Sequence, residues 1–134
     1  MICGVGVDLV ELAAFRRQIG RMKEGALRRL FTDAEREAAA KKGDPVAYLA
    51  TRFAAKEAIY KAVRPRLGAP LDLRKLETRS RRDGSPCFCP SDALRLRLKE
   101  AGIGAVHLSI TDEKDYAVAF AVAEGEEDGR FSTL

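Results

Sequence analysis

Three charged residues stand where their neighbours argue against charge: Asp8 in "ICGVGVDL" (2–9), and Glu57 and Lys61 in "RFAAKEAIYKA" (52–62). Successive helix positions turn by about 100°. On that wheel Val46, Ala50, Phe53 and Ala54 share one arc, Glu57 and Lys61 fall inside it, and Arg52 and Lys56 point outward on another face. A Glu57–Lys61 pair one turn apart adds only about 0.2–0.5 kcal/mol, a poor reason to interrupt an apolar stripe when burying unmatched charge costs far more. Two accounts are open. Either the stripe curls out to solvent and both groups are wet, or Glu57 points into a crevice that holds a cation while Lys61 faces an anion. Ala50, Ala54 and Ala58 leave room beside the acid and favour the second. If strand 2–9 packs on this helix, Asp8 and Glu57 meet. Two hard oxygen ligands with open positions describe a magnesium site that keeps waters and takes phosphate oxygens, with Lys61 neutralising phosphate charge.

The elements that must position these groups follow from the pattern. In residues 2–9, Cys3, Val5, Val7 and Leu9 form one apolar face, and Ile2, Gly4, Gly6 and Asp8 the other. The second face is bare, so something bulky can approach beside Asp8. Alternatively the glycines merely allow a close helix crossing, with Asp8 capping the next helix. Helical patterning covers about 10–20 and 24–30. Thr32 and Glu35 form a capping box for a third helix that ends by Gly43. Asp44-Pro45 opens the long helix, which is expected to end before Pro65, leaving 64–70 as a loop. Residues 75–89 read as two short strands around Asp83-Gly84. Ser91 caps and Gly102 stops a further helix. "AVHLSIT" and "YAVAFAVA" form a hairpin across "DEKD", and 124–134 reads as a loose tail.

The expectation is one α+β domain over 1–134, an antiparallel sheet packed against a long central helix. The chain has 134 residues, 46% hydrophobic and 33% charged, which fits a globular protein with a real core. No apolar run reaches membrane-span length and no targeting signal is visible, so a cytoplasmic chain with no membrane partner is expected. Cys3, Cys87 and Cys89 cannot all pair, and with His107 the lone histidine a zinc site lacks ligands; reduced structural thiols follow. The net charge of +4 is uneven: Arg16, Arg17, Arg21, Lys23, Arg28 and Arg29 are opposed locally only by Glu24. Such a patch suits an acidic partner or is simply a solvated face. A nucleic-acid-binding module would interleave aromatics with these charges, and only Phe15 lies at the patch's edge.

"GVGVDLVEL" (4–12), "RFAAKEAIYKA" (52–62) and "VHLSITDEKDYAVAFAV" (106–122) together resemble the holo-acyl-carrier-protein synthases, the short single-domain class of 4'-phosphopantetheinyl transferases. The similarity runs in the same order across nearly the whole chain. The resemblance implies transfer of 4'-phosphopantetheine from coenzyme A to a serine of an acidic apo acyl carrier protein, with adenosine 3',5'-bisphosphate released, in fatty acid biosynthesis or polyketide synthesis. It implies magnesium on Asp8 and Glu57, and Glu57 and Lys61 as catalytic residues. It places Arg52, Lys56, Lys61, Arg64, Pro86, Ser109 and Thr111 at the coenzyme A site. It puts carrier docking on Arg16, Arg17, Arg21, Lys23 and Arg28, and implies a homotrimer with sites between protomers. The base is left open between Glu57 acting through a water and a carboxylate on the carrier.

The chain departs from the family after the lysine helix. A glycine-rich loop there is replaced by "VRPRLGAP", with fewer backbone amides to cradle phosphate, since Pro65 lacks one. Arg64 and Arg66 supply charge instead, or affinity is reduced; a degenerate homologue is the corresponding rival. Asp112 stands where many members carry histidine, and His107 reads as a structural hydrogen-bonding residue rather than a catalyst.

Overall fold

The computed structural model describes residues 1–126. Strand β1 (Ile2–Glu11) leads into three short helices, α1 (Leu12–Arg21), α2 (Glu24–Leu30) and α3 (Asp33–Ala40), and then the 23-residue helix α4 (Pro45–Leu67). A 3-10 turn (Leu73–Lys75) follows, then the small hairpin β2 (Thr78–Ser80) and β3 (Pro86–Phe88), helix α5 (Asp92–Glu100), and the long hairpin β4 (Ile103–Asp112) and β5 (Tyr116–Gly125). β1, β5 and β4 form an antiparallel sheet in that order, and β2 and β3 pair separately. The expected α+β architecture, an antiparallel sheet against one long helix, is the one observed. Of the tail expected over 124–134, Glu124 and Gly125 complete β5, and 127–134 lies outside the described residues.

α4 lies across the sheet, and small residues make the contact. Ala117, Ala119, Ala121 and Ala123 on β5 meet Ala54, Ala58 and Ala62 on α4, all fully buried. β1 contributes Gly4 and Gly6. A Cβ on Gly4 would stand far inside contact distance of the Ala62 carbonyl oxygen, and one on Gly6 would do the same to Ala58. The bare face of β1 is therefore the inward one, and the bulky group that approaches it is α4. Asp8 does not cap α1, whose N-cap is Glu11.

Local signals hold where they are strong. The Thr32/Glu35 capping box is complete, Asp44 accepts from the Ala47 amide with Pro45 in the first turn, and Ser91 caps α5. The expected stop before Pro65 is wrong. α4 continues through Pro65 to Leu67, and Gly68, at φ 68°, donates to the Arg64 carbonyl to close it. A proline in the last turn removes one hydrogen bond, and the left-handed glycine cap beyond it sets the terminus.

The outward placing of Arg52 and Lys56 is also overturned: they are 7% and 0% exposed. The wheel assumes one solvent face, whereas α4 is covered almost all round by the sheet, α3, α1 and the 72–79 segment. Lys56 Nζ lies 2.7 Å from Glu35 Oε1 and also donates to the carbonyls of Leu73 and Leu76. The second oxygen of Glu35 accepts from the Thr78 amide and hydroxyl. Each charge is matched and hydrogen-bonded, the condition under which burial is tolerated. Glu35 was legible only as a capping residue.

Candidate active site

Asp8, Glu57 and Lys61 converge where β1 crosses α4. Asp8 sits on the inward face of β1, two residues past Gly6 of the glycine crossing, with its side chain 18% exposed. Lys61 Nζ donates to Asp8 Oδ1 at 3.3 Å and to the Val7 carbonyl at 2.9 Å. Its partner is thus the strand acid, and the Glu57–Lys61 ion pair is not formed. An ammonium has three protons, so one remains for an incoming anion, and the Lys61 side chain is half exposed.

Glu57 is half-buried beside them. Its pKa is raised by burial first and then by the charge of Asp8, while Lys61 pulls it down. A carboxylate held half-buried beside a second acid is a place where a cation is gained at low cost. The donor set, two hard oxygens and no nitrogen or sulfur, fits magnesium with water and phosphate oxygens in the open positions. Among the described residues no group of three or more His, Cys, Asp or Glu side chains is placed to hold a metal ion; a metal at this crossing would have two protein ligands, Asp8 and Glu57.

Arg64 lies one turn beyond Lys61, exposed, its guanidinium 5.8 Å from the Tyr60 ring centre. It and Arg66 extend the basic end of α4 past the lysine. Lys56 does not join the site: its three protons are spent in the core, which corrects its assignment to coenzyme A binding. Arg52 donates to the hydroxyls of Thr51 and Thr78 and stacks on Tyr48 at 4.6 Å. Tyr48, Lys41, Lys42 and Arg79 line an open crevice of about 480 Å³ beside it. Sequence reasoning missed this crevice; the Lys41-Lys42 pair was its one signal.

Pro86 begins β3 opposite Ser80. Ser109 and Thr111 lie on β4, and like His107 they point away from α4, because Val106, Leu108 and Ile110 take the inward positions. They therefore occupy the face of the sheet opposite Asp8, and a single chain does not bring them together. His107 Nε2 is 3.3 Å from Glu124 Oε2, in keeping with a structural role. That outward face also carries Val5, Val7, Leu9 and Phe120, each 46–62% exposed. Of the candidate docking residues, Arg16 is committed to Asp44 and Arg28 stands 3.7 Å from Glu24. Arg17, Arg21 and Lys23 are exposed with no ion-pair partner among the described residues. Cys3, Cys87 and Cys89 are free thiols; burial and then Cys87 push Cys89 up to about 11, so it stays protonated at neutral pH.

Known proteins share this arrangement of elements. A family model for the 4'-phosphopantetheinyl transferase superfamily matches residues 4–121. A holo-[acyl-carrier-protein] synthase of Ruthia magnifica is 38% identical over 127 residues, 95% of this chain and 100% of that relative. The same-named protein of Vesicomyosocius okutanii is 40% identical over 126 residues, 94% of this chain and 99% of the other. The crystal structure of holo-[acyl-carrier-protein] synthase from Neisseria meningitidis superposes with a TM-score of 0.83 at 38% identity, covering 92% of this chain and 99% of that one. A Chronobacterium ammoniagenes ACPS–CoA complex superposes at 0.76 with 30% identity, covering 92% and 98%. On residues 4–121 and on relatives matched along nearly their whole length, the chain belongs to the 4'-phosphopantetheinyl transferase superfamily.

Proposed function

We propose that this protein is a holo-acyl-carrier-protein synthase: it moves 4'-phosphopantetheine from coenzyme A to a serine hydroxyl of an apo acyl carrier protein and releases adenosine 3',5'-bisphosphate. The observation that carries the reading is the meeting of Asp8, Glu57 and Lys61 at one crossing. Its support is the naming of full-length relatives as holo-[acyl-carrier-protein] synthases and the coenzyme A complex of a structural neighbour.

Phosphoryl-group displacement asks for positioning and charge neutralisation more than covalent chemistry. Asp8 and Glu57 would hold magnesium, which would supply charge to polarise the pyrophosphate oxygens. Lys61, oriented by Val7 and Asp8, turns its remaining proton toward the nucleotide-side phosphate and stabilises the charge that leaves with it. The serine oxygen attacks the pantetheine-side phosphorus in line, and the bond from that phosphorus to the bridging oxygen breaks. The serine proton goes through a water to Glu57, or to a carboxylate of the carrier. Arg64 and Arg66 offer further cations to the phosphates, and Lys41 and Lys42 offer theirs to a nucleotide end in the crevice beside Tyr48, whose ring the buried Arg52 holds in place.

Asp8 and the pair Ser109 and Thr111 occupy opposite faces of one sheet, and the outward face is apolar. A homotrimer meeting through that face is the assembly we assign, and a site at the edge between two copies would let Ser109, Thr111 and Pro86 of one copy complete the Asp8–Glu57 end of another. The acidic carrier docks on the basic surface of α1 and α2, chiefly Arg17, Arg21 and Lys23. No helix among the described residues is long and apolar enough to cross a membrane; we assign the activity to the cytoplasm and to fatty acid biosynthesis. The test is to mix the protein with coenzyme A, magnesium and an apo acyl carrier protein. Mass spectrometry should show the carrier gaining one phosphopantetheine arm; an unmodified carrier would overturn the proposal.

A further inference from the structure

A second cavity, about 610 Å³, opens between the 3-10 turn and α5, away from the carboxylate pair. Its walls carry Arg74, Lys75, Arg79 and Arg97, and its floor is apolar, with Pro90 and Leu94. Two acids line it against these four cations. Glu77 binds Arg79 at 2.8 Å, and Asp72 caps the 3-10 turn by accepting from the Arg74 amide. Lys75 and Arg97 have no ion-pair partner among the described residues, and both are exposed. The cavity therefore presents uncompensated positive charge above an apolar floor.

Its position gives that charge a use. Arg74 Nη1 donates to the Arg28 carbonyl at 2.9 Å, joining the 3-10 turn directly to α2. The basic surface of α1 and α2 thus continues over the turn into the cavity. None of the lining residues stands on the outward sheet face, so copies that meet through that face leave the cavity open.

We propose that this cavity is a second contact for the acidic apo carrier protein, resting on the function assigned above: an acidic segment of the carrier lies against Lys75 and Arg97 and sets an apolar side chain on Leu94. The occupant is fixed by charge complementarity and by continuity with the α2 surface. A phosphate-bearing small molecule would want the same cations, but the apolar floor suits a side chain of a protein better. Exposed charges at such an edge govern encounter and orientation more than the buried contact itself.

The test uses the full chain and a fluorescently labelled apo acyl carrier protein, with binding read by anisotropy and therefore independent of turnover. Lys75→Glu/Arg97→Glu should weaken carrier binding about fivefold to tenfold at low salt, with the gap closing as salt rises, while the KM for coenzyme A stays unchanged. Equal binding by the two proteins, or no binding by either, would overturn the proposal. So would a raised KM for coenzyme A with carrier binding intact, which would make the cavity part of the nucleotide site. Carrier binding without transfer by the unaltered protein would instead count against the assigned activity alone.

Discussion

The ammonium of Lys61 reaches across 53 residues of sequence to Asp8 Oδ1, at 3.3 Å. That bond ties α4 to β1 and, with the Val7 carbonyl, holds the lysine beside the carboxylate pair. Replacing Lys61 with alanine should lower kcat about 100-fold or more, the scale on which a preorganised electrostatic group acts. Lys61→Arg, which keeps the charge but not the compact ammonium, should recover only part. Steady-state kinetics with an apo carrier protein measure both, and a Lys61→Ala enzyme of normal kcat would remove the residue from the mechanism.

The glycine crossing tolerates no side chain. Gly6→Ala should push α4 off β1, because the new Cβ meets backbone rather than a movable side chain, and overpacking of this kind costs about 1–3 kcal/mol or more. The urea midpoint should fall and metal-dependent activity should fall further, since Asp8 and Glu57 separate. Gly25→Ala is the control. Nothing lies within 4 Å of its Cβ position in α2, and alanine there should stabilise by about 0.8–1 kcal/mol.

Breaking the buried Glu35–Lys56 pair leaves one charge stranded in the core. Lys56→Met should cost about 3–5 kcal/mol in chemical denaturation. Glu35→Gln combined with Lys56→Met removes both charges and keeps an acceptor for Thr78, so it should recover a good part of that loss. An equally unstable double variant would show that the pair itself is not the source.

Glu57 makes stability depend on pH in a stated direction. Its folded pKa lies above its ordinary value of 4.5. A carboxyl that holds its proton more tightly folded than unfolded contributes stability below the unfolded value and loses it as pH rises through the folded one. Metal-free protein should therefore lose melting temperature as pH rises from about 4.5 through that raised value. Glu57→Gln should flatten this part of the profile, and Asp8→Asn should reduce it by removing the second cause.

Val7 and Phe120 pair across the outward face of the sheet, and they are 53% and 46% exposed. Val7→Lys should leave the chain folded but shift it to a smaller species on size-exclusion chromatography, with transfer activity lost in proportion. An unchanged elution position would argue that copies meet elsewhere.

Much of this was legible in the sequence wherever the signal is local. The Thr32/Glu35 box, Asp44-Pro45, the Ser91 and Gly102 boundaries and the Asp83-Gly84 turn each depend on residues a few positions apart, and each is where the chain indicated. The acids at 8 and 57 stood out because each interrupts an otherwise bare or apolar face. What was not legible depends on a distant partner. Lys56 reads as a surface residue until Glu35 arrives from α3 to match it, and Arg52 until Tyr48 and Thr78 enclose it. Val5, Val7 and Leu9 form the apolar face of β1, yet it is the glycine face that admits the helix, because close approach of backbones needs the absence of side chains more than the presence of apolar ones. Pro65 stayed in the helix because Gly68 provides the terminus three residues on.

The proposed chemistry needs Asp8 and Glu57 to act together on one divalent ion. Calorimetric titration of magnesium into the protein with coenzyme A present tests this most directly. One ion per site should bind to the unaltered protein, with affinity lower by at least about tenfold in Asp8→Asn and in Glu57→Gln, and with the double variant little worse than either single one, as expected of residues that act as a unit. Magnesium binding unchanged in both single variants would contradict it.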